Sequence, residues 1–259
     1  MKHISKPSIL GAICAAVGML CLFLRQWLLG TTPDEKGLLP AGHPVSYAIW
    51  ILTAVIAVFL AILFFAWNKQ VTCHFQPTPV NAIATILMAV GYGLAAWKLL
   101  QESNQLLYLA GGIAGILCVI CTLFVAIGQF LNMRMHPLLY CPGPLFLLCC
   151  LVTGYPQWSS EPQTQYVFFQ IMATAFLVFT VYGRAELAAG KSSGRNYTVF
   201  SRAAIFFSIA AIAYCADGLM YGCFAAALIL DGCSTALKPP KTADSPKSAP
   251  HEPPTSQGD

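Results

Sequence analysis

From Ile9 to Leu237 the chain is a succession of eight nearly unbroken apolar stretches, with most of the charge gathered in the short linkers between them. A bilayer core about 30 Å thick takes roughly 20 helical residues per crossing, and most of these stretches approach that length. The pattern predicts helix 1 at Ile9–Leu29, helix 2 at Tyr47–Trp67, helix 3 at Val80–Leu99 and helix 4 at Leu106–Leu131. Helix 5 is expected at Leu138–Tyr155, helix 6 at Gln165–Ala189, helix 7 at Val199–Cys215 and helix 8 at Gly218–Leu237. Val199 to Leu237 is about twice one crossing and holds the turn signal Asp217-Gly218 near its middle, so it is divided in two. The expected fold class is all-α, a polytopic transmembrane bundle of about eight spans.

Composition removes the soluble alternatives. Charged residues make up 9% of the chain and hydrophobic residues 57%, with a mean hydropathy of +0.67. An ordinary soluble domain carries about 25% charged residues. The formal net charge of +4 does not indicate a nucleic-acid partner, because the basic residues form no stripe and no aromatic-interleaved patch.

The basic residues instead report orientation, since Lys and Arg favour the cytoplasmic side. With the N-terminus inside, eleven fall on the inner side: Lys2, Lys6, Lys69, Arg134, Arg184, Lys191, Arg195, Arg202, Lys238, Lys241 and Lys247. Arg25, Lys36 and Lys98 fall outside. Joining helices 7 and 8 into one span would degrade this split to eight against six. Eight crossings with both termini in the cytoplasm, in the cell membrane, are therefore expected. Helix 1 is too long for a typical signal-peptide core and is followed by no small-x-small cleavage site, so it reads as an uncleaved span.

Two domains follow, a helical bundle over 1–237 and a Pro-rich cytoplasmic tail over 238–259 whose composition cannot support a packed core. Of the eleven cysteines, Cys73 and Cys141 sit at or near the inner face and the other nine lie within predicted spans; Cys118 and Cys121 have redox spacing without the strand-to-helix turn such motifs use. Small apolar packing accounts for them.

Ionisable groups at membrane depth point to pathways or sites. Arg25 lies about one turn from the outer end of helix 1, where its stem can snorkel to the headgroups beside Trp27. A buried partner such as Asp217, or a ligand carboxylate, is the alternative. Asp217 reads as a turn cap. Asp231 lies deeper and must be paired, protonated or wet; Arg202, at the start of helix 7, is its natural partner in an antiparallel hairpin.

Helix 5 is the weakest span. Its entry, from His136 to Pro144, contains three prolines and a glycine, which cannot sustain regular hydrogen bonding, and only Pro144–Tyr155 remains as clean helix. Interrupted spans build solute sites in many transporters, because irregular backbone survives at depth only where protein buries it or water reaches it. Gln129, Asn132, Arg134 and His136 precede the break and form, with Pro142 and Asp231, the candidate substrate-binding set. A kinked helix with an ordinary polar loop is the plainer reading. In the outer loop, Thr32-Pro33-Asp34-Glu35 has capping-box spacing, which explains both acids, and His43 alone is no metal site. Small residues four apart, at Gly91 and Ala95, Gly111 and Gly115, and Gly218, Gly222 and Ala226, are expected to let helix backbones approach.

No Walker loop, H-E-x-x-H, G-x-S-x-G or dinucleotide fingerprint is present in the sequence, and no nucleophile and base share a spacing. No catalytic residue, metal or cofactor is assigned, and an intramembrane enzyme is the least favoured class. Two readings stay open: a small-solute binding or transport module using the break in helix 5, and a non-catalytic membrane scaffold or partner subunit. The expected partners are the lipid bilayer, together with a small-molecule solute on the first reading and a membrane protein or second copy on the second. A compartment-restricted reporter fused to each terminus should be active on the cytoplasmic side in both fusions; a signal from the far side for the Pro-rich end would reverse the assignment.

Overall fold

The computed structural model describes residues 6–31, 43–66, 72–74, 78–102, 106–133, 135–160, 164–190, 194–213, 217–234 and 236–238. Within them lie eight α-helices: α1 (Lys6–Thr31), α2 (Pro44–Ala66), α3 (Pro79–Gln101), α4 (Leu106–Phe130), α5 (Pro142–Ser160), α6 (Thr164–Ala188), α7 (Arg195–Ala211) and α8 (Gly218–Ser234). Two three-residue strands, β1 (Thr72–His74) and β2 (Ala236–Lys238), pair antiparallel as a small ribbon. The rest of the tail and the acids of the outer loop lie outside the described residues.

Six helices, α1 to α6, are long and apolar enough to cross a membrane. Their outer faces are the signature of a lipid solvent. Ile51, Val55, Val58, Ile62 and Phe65 on α2, and Ile113, Leu117, Ile120, Phe124 and Ile127 on α4, recur at spacings of three and four and are all exposed. Continuous apolar stripes of that extent would be untenable in water. Thr53 of α2 and Gln129 of α4 point the other way, into the bundle.

Consecutive helices alternate in direction. Gly18 of α1 packs against Phe206 and Ile209 of α7, as Gly11 does against Arg202, so α1 and α7 run parallel. Arg202 meets Gly232 and Ile212 meets Gly218, which sets α8 antiparallel to α7. Gly91 against Phe224, and Lys98 against Asp217, set α3 antiparallel to α8. One end of the bundle, the tail end, therefore gathers the starts of α1, α3 and α7 and the finish of α8 and the ribbon. The opposite end carries Lys98 and Asp217.

At the centre stands α7, in which every residue from Ser201 to Ala211 is buried. Its 17 residues rise about 25 Å. It begins at Arg195, after Gly194 in the left-handed conformation (φ 73°), four residues before the predicted start, and so takes in Asn196, Tyr197 and Thr198. An apolar window cannot find this boundary, because a helix enclosed by protein admits polar residues wherever they meet partners. At the far end of the chain, α8 stops at Ser234, and β2 replaces the last residues predicted as helix.

Helix 5 is more regular than its sequence suggests. Pro137–Tyr140 forms a 3₁₀ turn, and α5 then runs 19 residues to Ser160. Pro142 and Pro144 occupy its first turn, where a missing N–H leaves no intrahelical bond unmade.

The glycine stripes mark the tight contacts between α3, α4, α5 and α8. A Cβ on Gly115 would lie 2.5 Å from the Ala96 Cβ and 2.6 Å from the Phe146 ring, and one on Gly91 would touch Phe224 at 3.0 Å. Gly115→Leu is expected to destabilise the protein by at least about 1–3 kcal/mol, the usual cost of overpacking. Thermal unfolding in detergent measures it, with the lipid-facing Leu117→Ala as a control that should change little.

Candidate functional site

The inner face of α3 starts the site. Thr78 caps the helix by accepting from the Asn81 N–H at 3.3 Å, and Pro79 occupies the first turn. From this fixed start Asn81, Thr85, Met88, Tyr92, Ala95 and Leu99, spaced by fours and threes, form one buried line.

Arg184 of α6 reaches across to that line. Its Nη2 donates to Thr85 Oγ1 at 2.9 Å, its Nη1 lies 3.1 Å from Met88 Sδ, and Nη2 also stands 3.5 Å from Asp231 Oδ1 of α8. The Tyr197 hydroxyl of α7 donates to the other carboxylate oxygen, Asp231 Oδ2. Thr85 Oγ1 lies 2.8 Å from both Asn81 O and Gln129 Oε1 of α4. One hydroxyl proton serves only one acceptor, so turning the Gln129 amide to present its NH₂ resolves the conflict at Thr85. Five helices thus contribute to a single polar chain, Gln129–Thr85–Arg184–Asp231–Tyr197, with Arg184 4% and Asp231 1% exposed.

Arg202 adds a second buried cation beside this chain. Its guanidinium fills a notch between Gly11 of α1 and Gly232 of α8, where an added Cβ would come within 3.4 Å and 2.7 Å of it respectively. Arg184, which the charge pattern assigns to the inner surface, also reaches Asp231, the acid that the sequence pairs with Arg202.

Arg25 departs from expectation. It is 1% exposed and does not snorkel: its Nη1 donates to Ala210 O, and its Cζ sits 4.4 Å from the centroid of the Phe169 ring. Ala210 O belongs to the last turn of α7, whose carbonyls lack intrahelical donors and carry the negative end of the helix dipole. A cation there is doubly favoured. Asp217 binds Lys98 Nζ at 2.7 Å in a half-exposed ion pair at the end of the bundle.

The six predicted binding residues separate into two groups. Gln129 and Asp231 enter the buried chain. Asn132, exposed and at φ 54°, takes the left-handed position that ends α4, with Met133 N bonding Gly128 O at 2.8 Å as in a Schellman cap. His136 is exposed and caps the 3₁₀ turn through its Nδ1, which accepts from Leu138 N at 3.3 Å. Pro142 is the first residue of α5, and Arg134 lies outside the described residues.

Two cavities flank this region. One, about 20 Å³, lies below the 3₁₀ turn and is walled by Leu139, Tyr140, Gly143, Tyr92, Val181 and Arg184, among others. The other, about 60 Å³, lies toward Lys98 and Asp217 and includes Ala95, Leu147, Leu177, Thr174 and Phe224 in its wall. Between them Tyr92 packs edge-on against Phe224 and Phe146, with ring centroids 5.2 and 6.0 Å apart. Among the described residues no group of three His, Cys, Asp or Glu side chains converges to hold a metal.

No family model, no curated protein and no solved structure matches this chain.

The chain from Gln129 to Tyr197 can hold charge in an apolar interior and lend its guanidinium to the small cavity. Removing one member of a buried ion pair strands the other, which typically costs about 3–5 kcal/mol. Arg184→Met and Asp231→Asn should each destabilise strongly, and the double variant should lose less than the sum of the two. A double-mutant cycle on denaturant unfolding in detergent reads this coupling; strict additivity would mean that the two groups do not interact.

Proposed function

We propose that this multi-pass membrane protein binds a small solute and passes it along the interface of α3, α5, α6 and α8, with α7 and α8 completing eight crossings and both termini in the cytoplasm. The observation that carries the reading is the end-to-end arrangement of the two cavities. On α3 the lining passes from Tyr92 to Ala95, on α5 from Gly143 to Leu147 and on α6 from Val181 to Leu177, a step of about one helical turn on each. The Tyr92, Phe146 and Phe224 rings stand in that step.

The irregular entry to helix 5 supports the same reading. Backbone that leaves regular helix at membrane depth belongs beside a cavity, and the 3₁₀ turn at Pro137–Tyr140 walls the smaller one. Of the sequence-predicted set, Gln129 and Asp231 act in this proposal by holding Arg184 in place, while His136 and Pro142 fix the turn. The orientation also gains support once the buried arginines are set aside. Arg25, Arg184 and Arg202 have protein partners and take no part in the surface balance, which leaves nine basic residues inside against two outside.

The aromatic septum is the point at which to test transport. In proteoliposomes, Phe224→Ala should raise urea permeability several-fold over the unsubstituted protein, and Phe224→Leu by less, in osmotic shrinkage assays. Ile113→Ala on the lipid face should not. Folded Phe224 variants with unchanged urea permeability would remove the route.

A further inference from the structure

The hydroxyl of Tyr92 is the residue the polar chain leaves unexplained. Tyr92 is 2% exposed, its ring is fixed by Phe146 and Phe224, and its Oη has no hydrogen-bond partner among the described residues. A buried hydroxyl without a partner is costly, so packing alone would be served better by phenylalanine. Tyr92 lines the 20 Å³ cavity that Arg184 also lines. A Cβ on Gly143 would lie 3.0 Å from Oη, so the glycine at that point keeps the hydroxyl's surroundings open.

We propose that Tyr92 Oη and the Arg184 guanidinium form a subsite for an acceptor oxygen, the carbonyl or hydroxyl oxygen of a small uncharged solute. The chemistry follows from the groups present. Arg184 offers only N–H donors, and the Tyr92 O–H meets no acceptor among the described residues, so the matching atom is an acceptor. Two other hydroxyl groups of the wall are already engaged: Thr122 donates to Cys118 O at 2.7 Å, and Thr85 is saturated by Arg184, Asn81 and Gln129. The Tyr140 hydroxyl, also in the wall, is a further donor. The solute is neutral because Asp231 already balances Arg184, and Arg202 is not part of the cavity wall, so the donors that face the cavity carry no unbalanced charge for an anion to meet. The volume takes one or two water-sized groups, which suits a single carbonyl. The subsite lies on the proposed route and rests on that reading for its role, but not for its existence.

Tyr92→Phe keeps the ring and removes only the oxygen. Saturation-transfer NMR on the protein in nanodiscs, with formamide as the probe, should show saturable binding that weakens about tenfold in Tyr92→Phe, the loss of about one hydrogen bond. Without formamide, the melting temperature of Tyr92→Phe should equal or exceed that of the unsubstituted protein. A packing role alone would predict no change in binding. Equal formamide binding by both proteins overturns the subsite, as does no binding by either, the result expected if the cavity holds an ordered water only. Formate binding more tightly than formamide overturns the assignment to neutral solutes. The route is judged separately by the Phe224 variants: formamide binding without urea leakage removes the route and leaves the subsite, and leakage without binding does the reverse.

Discussion

A charged side chain inside an apolar bundle must find polar partners at contact distance, and among the described residues this bundle encloses three arginines and an aspartate around one short helix. Lipid outside offers these groups nothing, and transfer of an isolated ion into such a medium is prohibitive. The positions of α1, α6, α7 and α8 are therefore tied to where their charges can meet. Arg25 closes the C-terminal turn of α7, and Arg202 sits between glycines of α1 and α8. Arg184 and Tyr197 bring α6 and α7 onto the Asp231 carboxylate of α8. Apolar packing between membrane helices is weakly directional, because lipid tails are as apolar as leucine. Polar contacts of this kind fix one register among many of similar packing energy.

The burial of α7 follows from the same constraint. A helix carrying Arg195, Asn196, Thr198, Ser201, Arg202 and Ser208 could not face hydrocarbon along its length. Enclosed by its neighbours, it need not match the bilayer thickness, and about 25 Å is enough. Small residues make the enclosure close. Gly18 lets α1 approach the Phe206 carbonyl, and Gly183 of α6 packs against the Tyr197 backbone, with added Cβ atoms meeting them at 3.3 and 3.4 Å.

The helical class and most helix positions were legible because length and hydropathy are local properties of the chain. The partners of the charges were not, because they depend on which faces meet. Arg25 illustrates the difference. Its distance from the helix end suggests snorkelling, yet it shares a strict three-and-four spacing with Gly11, Cys14, Gly18, Cys21 and Leu28, all buried. That stripe of mostly small residues was visible in the sequence and marks the protein-facing side. Arg184 carried a weaker signal, and Tyr197 lay before the predicted start of its helix. Neither could be joined to Asp231 without the bundle's geometry. The break before helix 5 was legible as a set of prolines, but its effect was smaller than expected, since a first helical turn accepts proline without loss.

What links the buried charges to the cavities is Arg184, which belongs to both. Its guanidinium is held on one side by Asp231 and on another by Thr85, and Arg184 also lines the cavity below the 3₁₀ turn. A guanidinium already paired with a carboxylate can donate hydrogen bonds without presenting net charge, and so can accept an uncharged oxygen where a bare cation would demand an anion. The same Asp231 that fixes α6, α7 and α8 together thus also sets the electrical character of the cavity. Displacing it would change both the packing of the bundle and the kind of solute the interior could tolerate, which ties the fold's electrostatic core to its proposed chemistry through a single residue.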